Sequence, residues 1–184
     1  MIGGNRAQAG FGDLAQIQFA DQGDNGVLQD WQDATDMSGP AQASGAGMFK
    51  NWVYVFGGQA SSNFLDTVNR GDLDQIDGIK NWTAMPNLNE PRSALSYADW
   101  KGWLFAIGGK NQGNSGEVRL KSVETAGIMP DGTIQSWTYA PPLKNARAGA
   151  SAVVYMGKIY VIGGFDGTNF LSSVEISTVH SQRP

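Results

Sequence analysis

The chain of 184 residues contains no cysteine, one histidine and no long run of apolar residues. The absence of cysteine excludes disulfides and thiol chemistry, and a single histidine, His180, leaves few ligands for a transition metal. No stretch approaches the ~18 consecutive apolar residues of a membrane-spanning helix, and residues 1–8 lack the charged-then-apolar order of a signal peptide. We therefore expect no metal, no cofactor and no membrane insertion, while the compartment stays open.

Basic residues are also few and scattered. The sequence has 13 Lys and Arg against 17 Asp and Glu, for a net charge of −4, and it contains no basic run. Phosphate-binding surfaces need concentrated positive charge, so we expect no nucleic-acid partner. What the chain does have is 25 glycines and 41% hydrophobic residues. This composition favours a glycine-punctuated all-β protein.

A motif recurs at fixed spacing along the chain: Leu, a β-branched residue three positions on, Trp seventeen on, and Gly-Gly forty-three and forty-four on. The three copies are Leu14, Ile17, Trp31, Gly57 and Gly58; Leu65, Val68, Trp82, Gly108 and Gly109; and Leu120, Val123, Trp137, Gly163 and Gly164. A fourth copy begins at Leu171 and Val174, and its Trp would fall at position 188. Such a period marks a repeat protein with one structural unit per copy.

Each unit is predicted to form four strands. The apolar run before each Gly-Gly pair, such as residues 103–107, predicts a strand covered on both faces. A segment rich in Ser, Ala and Gly lies just upstream and predicts the smaller first strand of a hairpin. The Leu-x-x-Val segment predicts a third strand and the Trp segment a fourth. Because such an antiparallel meander is apolar on both faces, it must stack on neighbouring sheets, and radial stacking predicts a β-propeller.

The repeat boundaries define a single domain, residues 1–184. We expect residues 1–36 to form the outer strands of a partial blade, residues 41–87 and 91–143 to form complete blades, and residues 146–184 to form the inner strands of another partial blade. The chain is thus predicted to hold an incomplete ring.

The glycine pair and the tryptophan both have structural explanations. Backbone without Cβ bends sharply and lets a neighbouring sheet approach closely. A Trp at the same position in every unit indicates packing between adjacent sheets, since a ligand contact would rarely recur in each one. The residues that we assign to this structural motif are Gly57, Gly58, Gly108, Gly109, Gly163, Gly164, Trp31, Trp82 and Trp137.

These features resemble the kelch repeat, whose hallmarks are a Gly-Gly pair after an apolar strand, an aromatic residue shortly before the pair, and a later Trp. Here Tyr54, Phe105 and Tyr160 each stand three residues before a Gly-Gly pair. The stretch 131–164 is similar to kelch units of bacterial and phage surface or secreted proteins, which implies an extracellular or cell-surface setting. The resemblance covers nearly the whole chain and implies an incomplete kelch β-propeller.

Length variation between copies is confined to the segment from the Gly-Gly pair to the next Leu, where the first Gly and the Leu are 11, 8, 12 and 8 residues apart in succession. These variable loops are expected to gather on one face of a rigid scaffold, where binding surfaces are commonly built. A mixed polar and apolar contact surface is one interpretation, and solvated turns with strand-end packing of the aromatic residues are the other. The candidate interaction residues in these loops are Phe64, Lys110, Asn111, Arg119, Phe165, Asp166 and Asn169.

Arg92 and Arg147 each follow a Trp by ten residues, and Ala41 takes their place in the first complete unit. In a kelch propeller this position lies near the central opening, which implies guanidinium donors for an acidic partner or ligand. The alternative is a structural role, in which the two side chains bond carbonyls of the preceding loop. The acidic residues on or beside the third strands are interpreted as parts of a solvated face; they are Asp66, Glu124 and Glu175.

The sequence shows no nucleophile elbow, phosphate-binding loop or triad spacing. The copper oxidase of this architecture needs histidine ligands and a Cys-crosslinked Tyr, which this composition lacks. We therefore predict a non-enzymatic scaffold that binds a protein or a surface glycan, and the resemblance implies an adhesion or appendage component. The alternative is part of a carbohydrate-modifying kelch enzyme, similar to sialic-acid mutarotases, with catalytic residues partly in blades outside this sequence.

Closure of the ring is a physical requirement, because open blades expose strand edges and an apolar sheet face. Two solutions are open from the sequence. Either the remainder of a longer chain completes the propeller, or copies of the chain assemble as a homo-oligomer into a closed ring.

Overall fold

The computed structural model of the chain describes residues 2–5, 13–20, 27–28, 30–39, 41–74 and 78–179, so His180 lies outside the described residues. Every regular element within these ranges is a β-strand. In chain order they are β1 Ile2–Asn5, β2 Asp13–Phe19, β3 Gln32–Asp33, β4 Gly45–Phe49, β5 Trp52–Phe56, β6 Gln59–Ala60, β7 Asn63–Phe64, β8 Val68–Asp74, β9 Gly78–Met85, β10 Ser96–Trp100, β11 Trp103–Ile107, β12 Lys110–Gly113, β13 Gly116–Arg119, β14 Val123–Gly127, β15 Thr138–Ala140, β16 Ser151–Tyr155, β17 Lys158–Ile162 and β18 Val174–Thr178.

The two central sheets are four-stranded antiparallel meanders, ordered β4-β5-β8-β9 and β10-β11-β14-β15. In the second of them, Phe105 of β11 lies opposite Ala98 on one side and Thr125 on the other. The two sheets have one pattern because their sequences repeat, with the apolar run always second in the sheet. The predicted all-β architecture of four-stranded blades is confirmed.

Sheets of three strands lie at the two ends of the chain. At the first end β1 pairs with β2 and β2 with β3, so β1 takes the second-strand position beside the two outer strands expected in residues 1–36. At the other end β16, β17 and β18 form the first three strands of a unit.

The fourth strands differ in the position of the tryptophan that recurs in each copy of the repeat. Trp82 lies within β9, whereas Trp31 and Trp137 directly precede β3 and β15. The prediction that each fourth strand carries its Trp therefore holds within the strand for one unit, and the other two tryptophans stand at the strand entry.

The core lies between sheets rather than within one layer. Successive residues of a strand point to opposite faces, so β5 contributes to two clusters. Tyr54 and Phe56 pack with Leu104 and Trp137 of the following sheet, and Val53 packs toward the preceding one. A third cluster joins β11 to β17, through Phe105 and Ile107 against Ile159 and Val161. Each complete sheet is thus covered on both faces, as its apolar second strand requires.

Backbone hydrogen bonds also join the sheets at the entry to their first strands. The amide of Ala94 donates to Ala43, and the amide of Gly149 donates to Ala94, both at 2.8 Å. All three residues have φ between 48° and 64°, in the left-handed region. The first strands are thereby held in register from one unit to the next.

Candidate functional site

Arg92 stands four residues before β10 and is completely buried. Its guanidinium reaches into its own unit, where it pairs with the equally buried carboxylate of Glu124 at 2.7 Å. It is further held by the Gly108 carbonyl at 2.9 Å, the Ser122 carbonyl at 3.1 Å, the Ser122 hydroxyl at 3.0 Å and the Glu90 carboxylate at 3.1 Å. A buried ion pair is tolerable only when its remaining donors and acceptors are satisfied, and here they are.

Glu124 completes the network from the third strand, β14. Its Oε2 accepts from the backbone N–H of Asn89 at 2.7 Å and from the Asn89 amide at 2.9 Å, and its Oε1 accepts from the Glu90 N–H at 3.2 Å. The carboxylate therefore fixes the loop at residues 89–90 that leads into Arg92. The interpretation of Glu124 as part of a solvated strand face is wrong, because the loop at residues 89–90 covers the carboxylate and it is fully buried.

Arg147 repeats this arrangement one unit later. It pairs with Glu175 at 2.6 Å and donates to the carbonyl and hydroxyl of Ser173 and to the Gly163 carbonyl. Backbone N–H groups of Lys144 and Asn145 donate to Glu175. Burial opposes ionisation of Glu175, but those two N–H groups and the Arg147 guanidinium outweigh it and lower its pKa.

The interaction role considered for Arg92 and Arg147 is therefore corrected. Both guanidinium groups are enclosed and fully engaged, so they offer no donors to an outside partner. The structural alternative was hydrogen bonding to carbonyls of the preceding loop. The shorter carbonyl bonds are instead made to the glycine pair and the serine before the third strand, and the ion pair with the third strand was not predicted. A signal was available, because Arg occurs in the units that carry Ser-Val-Glu, whereas the first complete unit has Ala41 together with Asn69.

The glycine pairs lie where one unit touches the next. The N–H of Gly58 donates to the Arg92 carbonyl and that of Gly109 to the Arg147 carbonyl, at 2.7 and 2.8 Å. Gly108 has φ of 59°, and a Cβ there would lie 2.6 Å from the Arg147 carbonyl oxygen. At these positions glycine is needed for conformation and for space at once.

The three tryptophans occupy equivalent positions in the repeat but are buried to different extents. Trp137 is buried between the two complete sheets, and its indole N–H donates to the Pro86 carbonyl at 3.0 Å. Trp82 donates to the Thr35 carbonyl at 2.9 Å and packs on the preceding partial sheet. Trp31 is 57% exposed.

The variable loops form small ribbons that touch one another. β6 pairs with β7, β12 with β13, and Phe165 bridges to Phe170. The ammonium of Lys110 lies 5.7 Å from the centroid of the Phe64 ring, and the guanidinium of Arg119 lies 5.3 Å from that of Phe165. Both distances are within the range of cation–π attraction. The second ribbon is therefore in contact with the first and with the third.

Glu117 ties the two cations of the second ribbon together. It pairs with Lys110 at 2.7 Å and with Arg119 at 3.5 Å, and the hydrogen bond from Lys110 lowers its pKa. The ring of Phe170 packs at a tilt against that of Phe165, with centroids 5.2 Å apart, and Phe170 is 90% exposed. We call this connected set the loop row; it consists of Phe64, Lys110, Glu117, Arg119, Phe165 and Phe170.

The remaining predicted loop residues have local roles. The carboxylate of Asp166 accepts from the backbone N–H groups of Asn169 and Thr168, both at 2.7 Å, and these bonds lower its pKa. Asn111 accepts from the N–H of Gln112 at 2.7 Å. Asp166 and Asn111 thus shape their turns, while Asn169 is exposed at the tip of its loop.

Among the described residues, no three His, Cys, Asp or Glu side chains come together as a metal site would require. The described part of the chain also contains no helix able to cross a membrane.

Stacked four-stranded antiparallel sheets, linked through glycine pairs and inter-sheet tryptophans, define an incomplete β-propeller. The family model for the Kelch motif matches residues 146–176. Human Kelch-like protein 33 is 34% identical over 126 residues, and mouse Kelch-like protein 26 is 29% identical over 140 residues. The chain belongs to the kelch-repeat family, and the predicted resemblance is confirmed.

These relatives are much longer than the chain. The alignments cover 66% of the chain and 21% of Kelch-like protein 33, and 73% of the chain and 21% of Kelch-like protein 26. Beta-scruin of Limulus polyphemus is 26% identical over 154 residues, which is 82% of the chain and 16% of beta-scruin. The chain therefore spans about a fifth or less of the length of the relatives named here.

The solved structure of YjhT matches with a TM-score of 0.69 at 13% sequence identity. The alignment covers 83% of this chain and 47% of YjhT. At that identity the likeness concerns the fold alone.

Proposed function

We propose that this kelch segment is a non-enzymatic interaction scaffold that binds a protein partner through the loop row. The observation that carries the proposal is the contact between successive variable loops, made by Lys110 on Phe64 and by Arg119 on Phe165. These contacts turn three separate loops into one surface.

The chemistry of this surface suits a protein. Phe170 offers an exposed aromatic ring that is backed by Phe165, which gives a contact of large apolar area. Arg119 lies against Phe165 and Lys110 against Phe64, and each keeps part of its side chain accessible, 17% and 25% respectively. Aromatic and arginine side chains are the groups that most often dominate protein interfaces. The expected partner surface has an apolar depression flanked by carboxylates.

A pair of variants tests this proposal. Phe170→Asp removes the exposed ring without a buried contact being lost. Tyr155→Asp changes another exposed aromatic residue, 65% accessible, at the β16–β17 turn, which is the end of the sheet away from the Phe170 loop. Proteins from the native source would be captured on the immobilised chain, and each candidate would then be purified and titrated by calorimetry. We expect a partner whose affinity falls at least about tenfold with Phe170→Asp and is unchanged with Tyr155→Asp.

The alternatives give different results in the same scheme. A glycan array is run in parallel, because the loop row also has the aromatic and polar groups that sugars use. Binding to a sugar that Phe170→Asp abolishes would replace the protein partner with a surface glycan. Chemical conversion of a bound sugar would instead support the carbohydrate-modifying enzyme. A partner that binds both variants equally would contradict the loop row as the binding site. The extracellular setting stays a prediction.

A further inference from the structure

The turns between the first and second strands of the units lie at the opposite end of the sheets from the loop row. Each turn has two residues, and the first of them is Lys50 between β4 and β5, Lys101 between β10 and β11, and Met156 between β16 and β17. All three side chains are exposed. Each turn precedes a second strand and each loop of the loop row follows one, so the length of that strand, roughly 15 Å, separates the two surfaces.

The first residue of each turn has a left-handed backbone. The angle φ is 53° at Lys50, 49° at Lys101 and 49° at Met156. Residues with a Cβ are disfavoured in this region, and tight hairpin turns usually carry Gly, Asn or Asp there. The repeat thus places a long side chain at this position three times against the local preference. Strain that recurs at one exposed position indicates a use for the side chain.

Two of these side chains hold a positive charge beside aromatic rings. The Nζ atom of Lys50 lies 5.5 Å from the ring centroid of Phe49 and 5.9 Å from that of Trp52. The Nζ atom of Lys101 lies 5.3 Å from the ring centroid of Trp100. These distances are within the range of cation–π attraction. Contact with the rings restricts the long lysine side chains in advance, which reduces the entropy that a ligand must remove on binding.

Neighbouring turns also touch one another. A Cβ built on Gly102 would lie 3.7 Å from Cζ of Phe49, and one built on Gly157 would lie 3.7 Å from Nε1 of Trp100. The aromatic residue before one turn therefore reaches the turn of the next unit, and the three turns form one surface. We call this surface the tip row; it consists of Phe49, Lys50, Trp52, Trp100, Lys101 and Met156.

The two lysines of the tip row are not neutralised by the chain. In the part of the chain that the structure describes, neither Lys50 nor Lys101 forms an ion pair with a carboxylate. Lys110 of the loop row, by contrast, pairs with Glu117 at 2.7 Å. The tip row therefore presents two positive charges on a chain whose net charge is −4.

The carboxylates nearest this end of the sheets are directed elsewhere. Asp72 pairs with Arg70 at 3.1 Å. Asp131, in the turn between the third and fourth strands, accepts from the N–H and the hydroxyl of Thr133 at 3.0 and 2.7 Å. Asp99 takes the face of β10 opposite to that of the residue after it, because side chains alternate along a strand. The ammonium groups of the tip row thus remain available to carboxylates from outside.

We propose that the tip row is a second binding surface, which takes an acidic peptide segment of a protein partner. Its two ammonium groups are the electrostatic complement of Asp and Glu side chains. Met156, 77% exposed and flexible, suits apolar side chains of the same segment. The rings are poor platforms for a sugar, because an ammonium and a neighbouring turn already lie against them. Since the tip row and the loop row lie at opposite ends of the sheets, a scaffold with both bridges two partners.

A model peptide tests the charge selectivity. The probe is a fluorescein-labelled peptide of four Glu-Glu-Leu repeats, and the control peptide has Gln-Gln-Leu repeats. Binding to the purified 184-residue chain is followed by fluorescence anisotropy at low ionic strength. We expect saturable binding of the acidic peptide, at least about tenfold tighter than that of the control peptide, and we expect added salt to weaken it.

Protein variants locate the binding surface. The double variant Lys50→Asn, Lys101→Asn removes both charges, and Asn tolerates the left-handed backbone, so the melting temperature should not fall. We expect the affinity for the acidic peptide to fall at least about tenfold. The matched control is Lys121→Asn, Lys144→Asn, which makes the same change in net charge at two exposed lysines on the loop-row end of the sheets. Its affinity for the acidic peptide should be unchanged.

Four results would overturn the proposal. The acidic peptide does not bind, or it binds no better than the control peptide. The Lys50 and Lys101 double variant keeps its affinity, or loses no more than the matched control. The same double variant melts at a lower temperature, which would assign the two lysines to stability. Heparin binds at the tip row where the acidic peptide does not, which would make the ligand an acidic polysaccharide. None of these results bears on the partner proposed for the loop row.

Discussion

The unit that ends with β15 and the unit that ends with β18 contain the same Arg–Glu network, but the glutamate is more exposed in the second. Arg92 and Glu124 are both completely buried, whereas Glu175, the partner of Arg147, keeps 14% of its side chain exposed. The difference follows from the fourth strand. In the complete unit Asn89 bridges Glu124 to the Trp137 carbonyl, which belongs to the entry of β15.

The comparison separates what the first three strands of a propeller unit contribute from what the fourth strand adds. The ion pair and its carbonyl bonds form within the first three strands, because both units have them. In the complete unit the fourth strand adds the full burial of the carboxylate and the tryptophan that packs on the preceding sheet. The Arg–Glu network therefore needs only three strands to form, and the fourth strand buries it.

The largest effect is expected from breaking the fully enclosed pair. Arg92→Met leaves Glu124 buried without its counter-ion, and the free energy of unfolding should fall by about 3–5 kcal/mol. Arg147→Met should cost less, because Glu175 is in contact with water. Urea denaturation of both variants measures the difference. Equal losses would contradict the role assigned to the fourth strand in sealing the network.

The second expected effect concerns Trp137, which is buried between the two complete sheets. Trp137→Ala empties a buried site and removes the indole bond to Pro86, so we expect a loss of about 3 kcal/mol. Trp31→Ala is the control at the equivalent position, and its exposed side chain should leave stability within about 0.5 kcal/mol. Thermal unfolding followed by near-UV circular dichroism compares the two. A similar loss from Trp31→Ala would show that Trp31 is covered in solution.

The third expected effect compares a glycine that contacts the next described unit, Gly108, with Gly163, which has no such contact among the described residues. Gly108→Ala combines backbone strain with a contact to the Arg147 carbonyl oxygen, and we expect a loss of about 2–3 kcal/mol. At Gly163 a Cβ would meet nothing closer than 3.3 Å, so Gly163→Ala should cost about 1 kcal/mol from strain alone. Chemical denaturation measures both. Equal costs would mean that close approach between units is not what selects the first glycine.

The smallest expected effect is the dependence of stability on acid. The pKa of Glu175 is lowered in the folded chain, so its contribution is present above the ordinary glutamate pKa of about 4.3 and is lost as the pH falls through the lowered value. Glu175→Gln should therefore reduce stability at pH 7 and flatten the loss below about pH 4. Melting temperatures of both proteins between pH 7 and pH 3 provide the measurement. Parallel curves would contradict the ion pair.

The sequence predicted the units well because their signals are local and repeated. The apolar second strands, the glycine pairs and the spacing of Leu and Trp each recur several times, so the strands assigned in one unit predict those of the other units. The burial of Glu124 was not predicted, because strand alternation shows which face a residue takes and not what a distant loop lays over it. The co-occurrence of Arg with Ser-Val-Glu was the missed clue.

The loop row was predicted only as a set of loops on one face. Its contacts depend on where Lys110 and Arg119 point, and side-chain direction in a ribbon follows from turn geometry that loop length alone does not determine.

The most direct test is amide hydrogen exchange at the backbone N–H groups that donate to the two network carboxylates: those of Asn89 and Glu90 to Glu124, and those of Lys144 and Asn145 to Glu175. Because Glu124 is more deeply buried than Glu175, we expect the amides of Asn89 and Glu90 to exchange more slowly than those of Lys144 and Asn145. Equal exchange in the two pairs would contradict the claim that the fourth strand seals the network.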